Sequence, residues 1–442
     1  MRKNLADELD RIKKEVANEQ NEYEAEKPLI IKQEEFMQDC GYKFRYNLVR
    51  DTFEYATGEE IWADLKERIV KTIRRKFLIS GKFSKRGDSP TVKTLYEIID
   101  TEKGSVEFDP FDQFFTTNKW DGRDRITELL NTVHISDIKL QDFNLKDAWP
   151  MLFKRWLIAS VACALGQNAN HVMLLFISET HGTYKSTWLN NLCPNLLKDY
   201  IHFGHIMPNL TEQSTANILA EKFICNIDDQ LDTIFIKDFN SIKSIITAPF
   251  VTNRKSFRRD DNKRVRRVNF VGSVNNTDIF RDSQNRRYLT FEITKIDWAS
   301  AKLIDMNQVW LQAHHLYFKD RERHYFDKGD EAMINQINDH YSAISSEHEW
   351  FYKLFIPSDK SDMTAKFYPP TEILSIIKKA SGLNVFINNL SVAMKRMGLS
   401  KTKQKVEWQG SKQARDGYWL IESFKKDFDR ISVLESPRSL ED

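Results

Sequence analysis

The chain has 442 residues, 41% hydrophobic and 12% aromatic, which is enough for two or three domains with real cores and excludes a disordered chain. Lys and Arg number 66 against 64 Asp and Glu, a net charge of +2, so no global charge argues for nucleic acid and any basic surface must be local. Cys40, Cys163, Cys193 and Cys225 stand far apart without a CxxC pair, which argues against a zinc knuckle or a disulfide framework and for a reducing cytoplasm.

Residues 1–28 mix acid and base at helical spacing with few large apolar residues, and are expected as a charged exposed helix or tail. Residues 29–107 read as a small α+β module: strand-like "YKFRYNLV" precedes "EEIWADLKERIVKTIRRKFLI", where Ile61, Leu65, Ile69 and Ile73 recur at helical spacing. Residues 108–170 are expected as a helical collar or linker, in which "FDPFDQFF" and "WDGRDRI" read as a turn entering a helical run from Ile126 to Gly166. Its longest apolar stretch, Trp156 to Leu165, is well short of the about 20 residues a membrane span needs, so neither secretion nor anchoring is expected. From 171 to 330 short β-branched runs alternate with helices, the pattern of an α/β layer with a parallel sheet. A helical connector, 331–365, leads to 366–425, where two helices and two strand-like pieces follow in the order of a winged helix.

Within the α/β region, "HVMLLFIS" is a strand, "KSTWLNNL" opens a helix, and between them lies the loop "ETHGTY". Strand, loop and helix are the setting of a phosphate loop, in which backbone N–H groups surround phosphates, a lysine reaches the β and γ oxygens and a hydroxyl holds Mg²⁺. Gly182, Thr183, Tyr184, Lys185, Ser186 and Thr187 are the candidate nucleotide-binding residues, with Ser186 on the metal. Two usual glycines are replaced: Glu179 places a carboxylate where it repels phosphate, and Tyr184 calls for an ordinary negative φ.

Further along, the strand Phe223–Ile227 ends in Asp228 and Asp229, suited to Mg²⁺ coordination and to orienting an attacking water. Another strand, Val268–Val271, leads to Ser273 and Asn275; Asn275 is the candidate γ-phosphate contact, with Asn276 the alternative. Arg286 and Arg287 stand just before a strand, placed to act on a phosphoryl group bound to the next subunit of a ring. Between the acidic and asparagine strands, residues 254–267 hold eight basic against two acidic residues. This segment reads as a hairpin whose Arg254, Lys255, Arg258, Arg259, Lys263 and Arg264 track a single strand while Phe257 stacks on a base.

Taken together, "FDPFDQFFTTNKWDGRDRI", "WPMLFKRWLIASVACAL", "HGTYKSTWLNNLCP", "FICNIDDQLD", "NFVGSVN" and "DSQNRRYLTFEI" resemble the virulence-associated E family over roughly residues 30–320. The resemblance implies an α/β P-loop core of the AAA+ class, similar to superfamily 3 helicases, with an N-terminal α+β and helical region and a C-terminal winged-helix-like domain. It implies ATP and Mg²⁺ as cofactors, Lys185, Ser186 and Thr187 in the phosphate loop, Asp228 and Asp229 as the acidic pair, Asn275 as sensor and Arg286 or Arg287 as the trans-acting arginine. The implied activity is a cytoplasmic, ring-forming DNA helicase or translocase, a hexamer, serving replication of a phage, satellite or integrated element. Its partners are single-stranded DNA, duplex origin DNA and a primase on a separate chain. Asp229 stands where a glutamate is common, and with Glu179 this favours a rival role, an initiator that binds ATP and hydrolyses it weakly. A defence NTPase or regulator is the other alternative.

Overall fold

A computed structural model describes residues 27–423 except 84, 86, 181, 205, 207–208, 229–230, 232–238, 254–261, 277–278, 281–284, 343–345 and 409–410. The expected exposed helix over residues 1–28 therefore lies almost entirely outside the described residues. The fold is mixed α/β with several sheets. Among the described residues no helix is long and apolar enough to cross a membrane.

The chain opens with α1 (Leu29–Asp39), β1 (Tyr42–Asn47), β2 (Thr52–Thr57), β3 (Glu59–Asp64), α2 (Glu67–Ser80), α3 (Val92–Ile99) and β4 (Val106–Phe108). The strands form one sheet in the order β3-β2-β1-β4, antiparallel except for the β1/β4 pair. Phe36, Val70, Ile73, Phe77, Leu95 and Ile98 fill the core between this sheet and its helices. The expected helical run beginning near Ile61 is corrected here. Gly58 turns the chain at φ 70°, β3 returns along β2, and Ile61 is exposed on that strand. Helix begins only at Glu67, so Ile69 and Ile73 belong to it and Ile61 and Leu65 do not.

Next come α4 (Pro110–Thr117) and α5 (Arg125–Leu130), whose starts are fixed by Asp109 and Asp124 accepting backbone N–H groups of the first turn. After β5 (Val133–Ile135), α6 (Leu145–Ala164) is buried over most of its surface. Trp156 on α6 donates its indole N–H to the Val172 carbonyl and so ties the helix to the strand that follows.

The central layer contains β6 (Met173–Ile177), α7 (Lys185–Asn191), β7 (Ile201–Phe203), α8 (Gln213–Glu221), β8 (Ile224–Asn226), α9 (Phe239–Thr247), the hairpin of β9 (Phe250–Asn253) and β10 (Asn262–Val265), β11 (Asn269–Val274) and β12 (Tyr288–Ile296). Its six-stranded sheet runs β5-β12-β6-β11-β8-β7. Every pairing from β12 to β7 is parallel, and only edge strand β5 is antiparallel. Strands buried on both faces need apolar residues throughout, and Met173–Ile177 is apolar and buried at every position. The last of these helices are α10 (Trp298–Ala301), α11 (Met306–Phe318) and α12 (Lys328–His340).

The chain then forms α13 (Ser346–Leu354), β13 (Phe355–Pro357), β14 (Lys366–Tyr368), α14 (Pro370–Ser381), α15 (Ile387–Arg396), β15 (Thr402–Trp408) and β16 (Ser411–Glu422). Two helices are thus followed by an antiparallel hairpin, in the order read from the sequence.

Candidate nucleotide site and basic hairpin

Parallel strands deliver their following loops to one end of the sheet, and three adjacent strands do so here. β6 leads into the loop Ser178–Tyr184, β11 into Asn275, and β8 into Asp228, with β11 lying between the other two. Lys185, the first residue of α7, is buried, and its Nζ donates to Asn275 Oδ1 at 3.0 Å, to the Ser178 carbonyl at 3.3 Å and to Thr183 Oγ1 at 3.4 Å. Ser186 Oγ lies 3.5 Å from Ser273 Oγ, and the Ser273 hydroxyl donates to Asp228 Oδ1. Residues 90 and 45 positions apart in the chain thus meet in one polar cluster.

The loop corrects one expectation. Gly182 adopts φ 78°, as glycine does freely, but Tyr184 adopts φ 61° and ψ 19°, the left-handed region, not the ordinary negative φ expected of it. The backbone keeps a shape that glycine serves elsewhere, at a cost of about 1–2 kcal/mol for a residue with a Cβ. The Tyr184 carbonyl accepts the Trp188 N–H and starts the helix. Its ring is exposed and lies parallel to that of Trp298, with centroids 6.3 Å apart and planes 14° from coplanar. Gly182 and Thr187 are exposed, and Glu179 is exposed at the mouth of the loop. Asp229 lies outside the described residues.

Arg286 and Arg287 precede β12, whose Tyr288 pairs with Met173 while its Glu292 pairs with Ile177. They therefore sit at the opposite end of the sheet from Lys185, separated by about 15 Å of strand. Arg286 is exposed and its Nη1 donates to both carboxylate oxygens of Glu331 at 2.8 Å. Arg287 is half-buried, with its Nε buried. From α12, Asn338 donates to the carbonyls of Asn285 and Tyr288 at 2.7 Å, fixing the turn that carries both arginines.

Of the basic hairpin, Arg254, Lys255, Phe257, Arg258 and Arg259 lie outside the described residues. Lys263 is exposed, its Nζ 3.8 Å from the centre of the Phe250 ring. Arg264, read from the sequence as facing nucleic acid, is instead turned inward: it is buried, bridges Glu221 at 3.2 Å and donates to the Val49 carbonyl. Burial raises the Glu221 carboxyl above its usual range, and Arg264 opposes that rise. Arg266 is fully buried and donates to the carbonyls of Ala248, Val268 and Asn170 at 2.6–2.8 Å, while Arg267 bridges Asp109 at 2.6 Å. Four-residue β10 presents alternate faces, so a count of charges overstates the exposed ones.

Three residues with a place in these sites carry no role in the sequence reading: Ser273 is noted there only as a strand-end residue, and Trp298 and Phe250 are not noted. Ser273 bridges Ser186 to Asp228, Trp298 backs Tyr184, and Phe250 lies under Lys263. The last has a sequence signal, an aromatic at the mouth of a basic hairpin; Trp298 lies too far along the chain for spacing to connect it.

The virulence-associated protein E-like domain model matches residues 115–343. No curated protein matches the chain. Among solved structures, the apo structure of the NrS-1 C terminal region (305-718) is similar at 15% identity and a TM-score of 0.48, covering 89% of this chain and 100% of that one. The A form apo structure of the same region gives 15% identity and a TM-score of 0.46, covering 88% of this chain and 99% of that one. The matched residues 115–343 take in the whole six-stranded sheet and more than half of the 442 residues, and the chain belongs to the virulence-associated protein E-like domain family.

Proposed function

We propose that the chain is a P-loop ATPase of the AAA+ class, similar to superfamily 3 helicases, that assembles as a hexameric ring and moves on DNA during replication of a phage, satellite or integrated element. The observation that carries this reading is the convergence of Lys185, Asn275, Ser273 and Asp228 at the ends of three adjacent parallel strands. A lysine, an amide and a carboxylate so arranged suit a triphosphate: the lysine binds phosphate oxygens, the amide contacts the γ-phosphate or its attacking water, and the carboxylate lies on the metal side. Ser186 and Asp228 are hard oxygen donors brought to one hydroxyl, Ser273, and so fit Mg²⁺. That ion, when bound, supplies neutralisation of phosphate charge. Asp229 is the proposed water-orienting carboxylate.

The position of the arginines supports the ring reading: about 15 Å of strand separates them from Lys185 in the same chain, so the role proposed for Arg286 or Arg287 calls for a neighbouring copy. Lys263, Phe250 and the segment 254–259 form the proposed single-strand contact. The two helices and hairpin over residues 370–422 support a winged-helix reading, with duplex DNA as its partner. A separate primase and a cytoplasmic location complete the proposal.

The test is the ATPase rate with and without single-stranded DNA, together with particle mass in ATP. DNA-stimulated hydrolysis abolished by Lys185→Ala supports the motor. Background hydrolysis with ATP-driven assembly replaces it with an initiator, and a monomer in ATP with no DNA response overturns both.

A further inference from the structure

The phosphate cluster accounts for Lys185 and its neighbours and leaves the aromatic residue beside it without a task. Tyr184 holds a backbone shape that glycine adopts without strain, and the residue stays 54% exposed. A tyrosine that merely filled space would be covered. Behind it stands Trp298, which packs partly against the central core. The tryptophan's backbone is anchored on both sides. The Asp297 N–H donates to the Thr132 carbonyl at 2.8 Å, and the Asp297 side chain caps α10 by accepting from the Ser300 N–H at 3.2 Å and the Ser300 hydroxyl at 2.6 Å. β12 runs parallel beside β6, so its end brings Trp298 to the end of the sheet that holds Lys185. Tyr184 leans on a fixed ring and offers its other surface to solvent.

We propose that Tyr184, backed by Trp298, is the nucleobase platform of the site, and that it selects purine nucleoside triphosphates with little discrimination between adenine and guanine. The proposal rests on the phosphate reading of Lys185, because Tyr184 is the residue next to it and a base lies one ribose away from the phosphates. Stacking uses the π-face that every base carries, so its strength follows ring area more than hydrogen-bond pattern. A two-ring purine gains more than a one-ring pyrimidine. The platform assigned here consists of rings alone, which gives adenine and guanine similar affinity.

The experiment is equilibrium binding of ATP, GTP, CTP and inorganic tripolyphosphate, each with Mg²⁺, to the full chain. The wild-type protein, Tyr184→Phe, Tyr184→Gly and Trp298→Leu are compared. Wild type binds ATP and GTP within about threefold of each other, and both more tightly than CTP. Tyr184→Phe keeps the ring and keeps that order. Tyr184→Gly relieves the backbone strain, so it folds, yet loses roughly tenfold or more in ATP affinity with tripolyphosphate binding unchanged. Trp298→Leu shifts ATP in the same direction. ATP binding by Tyr184→Gly as tight as wild type, or a strong wild-type preference for ATP over GTP, overturns the platform and leaves the phosphate reading standing. Binding of neither ATP nor tripolyphosphate by the wild type overturns both.

Discussion

Lys185 Nζ and Asn275 Oδ1 lie 3.0 Å apart, although 90 residues separate them in sequence. Among the described residues the lysine also donates to a backbone carbonyl and a hydroxyl. A phosphate oxygen is a stronger, charge-assisted partner and displaces the amide. In the proposed sensor role the amide acts on the γ-phosphate and not on initial binding, so Asn275→Ala leaves ATP affinity within about threefold while lowering hydrolysis by roughly ten- to a hundredfold. Lys185→Ala loses binding itself. Asn276→Ala, measured by the same ATP titration and turnover assay, stays near wild type if Asn275 is the sensor, and the reverse pattern transfers the role to Asn276.

The hairpin separates structural arginines from the proposed DNA contact. Arg266→Met removes the guanidinium that donates to the buried carbonyls of Ala248, Val268 and Asn170, and urea denaturation should report a loss of about 3 kcal/mol. Lys263→Ala and Phe250→Ala leave the urea midpoint near wild type, because both side chains are exposed. Each instead weakens single-stranded DNA binding by several-fold, read by fluorescence anisotropy, and Lys263→Ala reduces the salt dependence by about one charge. Normal DNA affinity in the Lys263→Ala/Phe250→Ala double variant would remove β9 and β10 from the interface.

His314 gives the protein an acid-side dependence. It lies against Phe115, ring centroids 4.9 Å apart and 13° from coplanar, and against Phe318 at 4.6 Å. Burial depresses its pKa below 6.5; Asp112 opposes this, and His315 and Lys319 add to it. The folded chain thus binds the proton less readily than the unfolded chain. Stability from this group is complete above about pH 6.5 and is lost as pH falls toward the depressed value. Tm measured from pH 8 to 5 should fall, and His314→Gln should make that fall shallower. His171 and His324, depressed by the same cause, keep it from vanishing.

The central sheet was legible because its strands are short apolar runs ended by polar residues, and three such runs place their candidate side chains at the same end of a parallel layer. Lys185, Asp228 and Asn275 could be ordered from that pattern alone. Their hydrogen bonds could not, since Ser273 acts through geometry between strands. Tyr184 was misread because local preference predicts a negative φ, and tertiary packing overrides local preference. Ile61 and Leu65 were drawn into a helix because a strand followed by a helix happens to continue the fourfold spacing of Ile69 and Ile73. Arg264 reads as a surface contact, and Arg266 and Arg267 add to the local charge, because a charge sum does not see carbonyls and carboxylates waiting in the core.

Arg286 carries the remaining prediction. Its pairing with Glu331 is largely solvent-exposed, and exposed ion pairs contribute only about 0–1 kcal/mol, so neither Arg286→Ala nor Glu331→Gln should shift Tm appreciably. What Arg286→Ala should change is turnover by the assembled particle: at least roughly a hundredfold slower hydrolysis with ATP affinity retained, as expected for a group that acts on charge in the transition state. A mixing experiment distinguishes action in trans from action in cis. Lys185→Ala chains lack a nucleotide site but keep the arginine; Arg286→Ala chains keep the site and lack the arginine. At an interface between one of each, the intact Lys185 can face an intact Arg286, so co-assembly of two inactive proteins restores part of the wild-type rate. If the arginine serves its own chain, every chain in the mixture lacks one required group and the rate stays at background. Repeating the mixture with Arg287→Ala in place of Arg286→Ala decides between the neighbours. Half-buried Arg287, set in a turn that Asn338 fixes, is expected to affect Tm as well as turnover, whereas exposed Arg286 affects turnover alone.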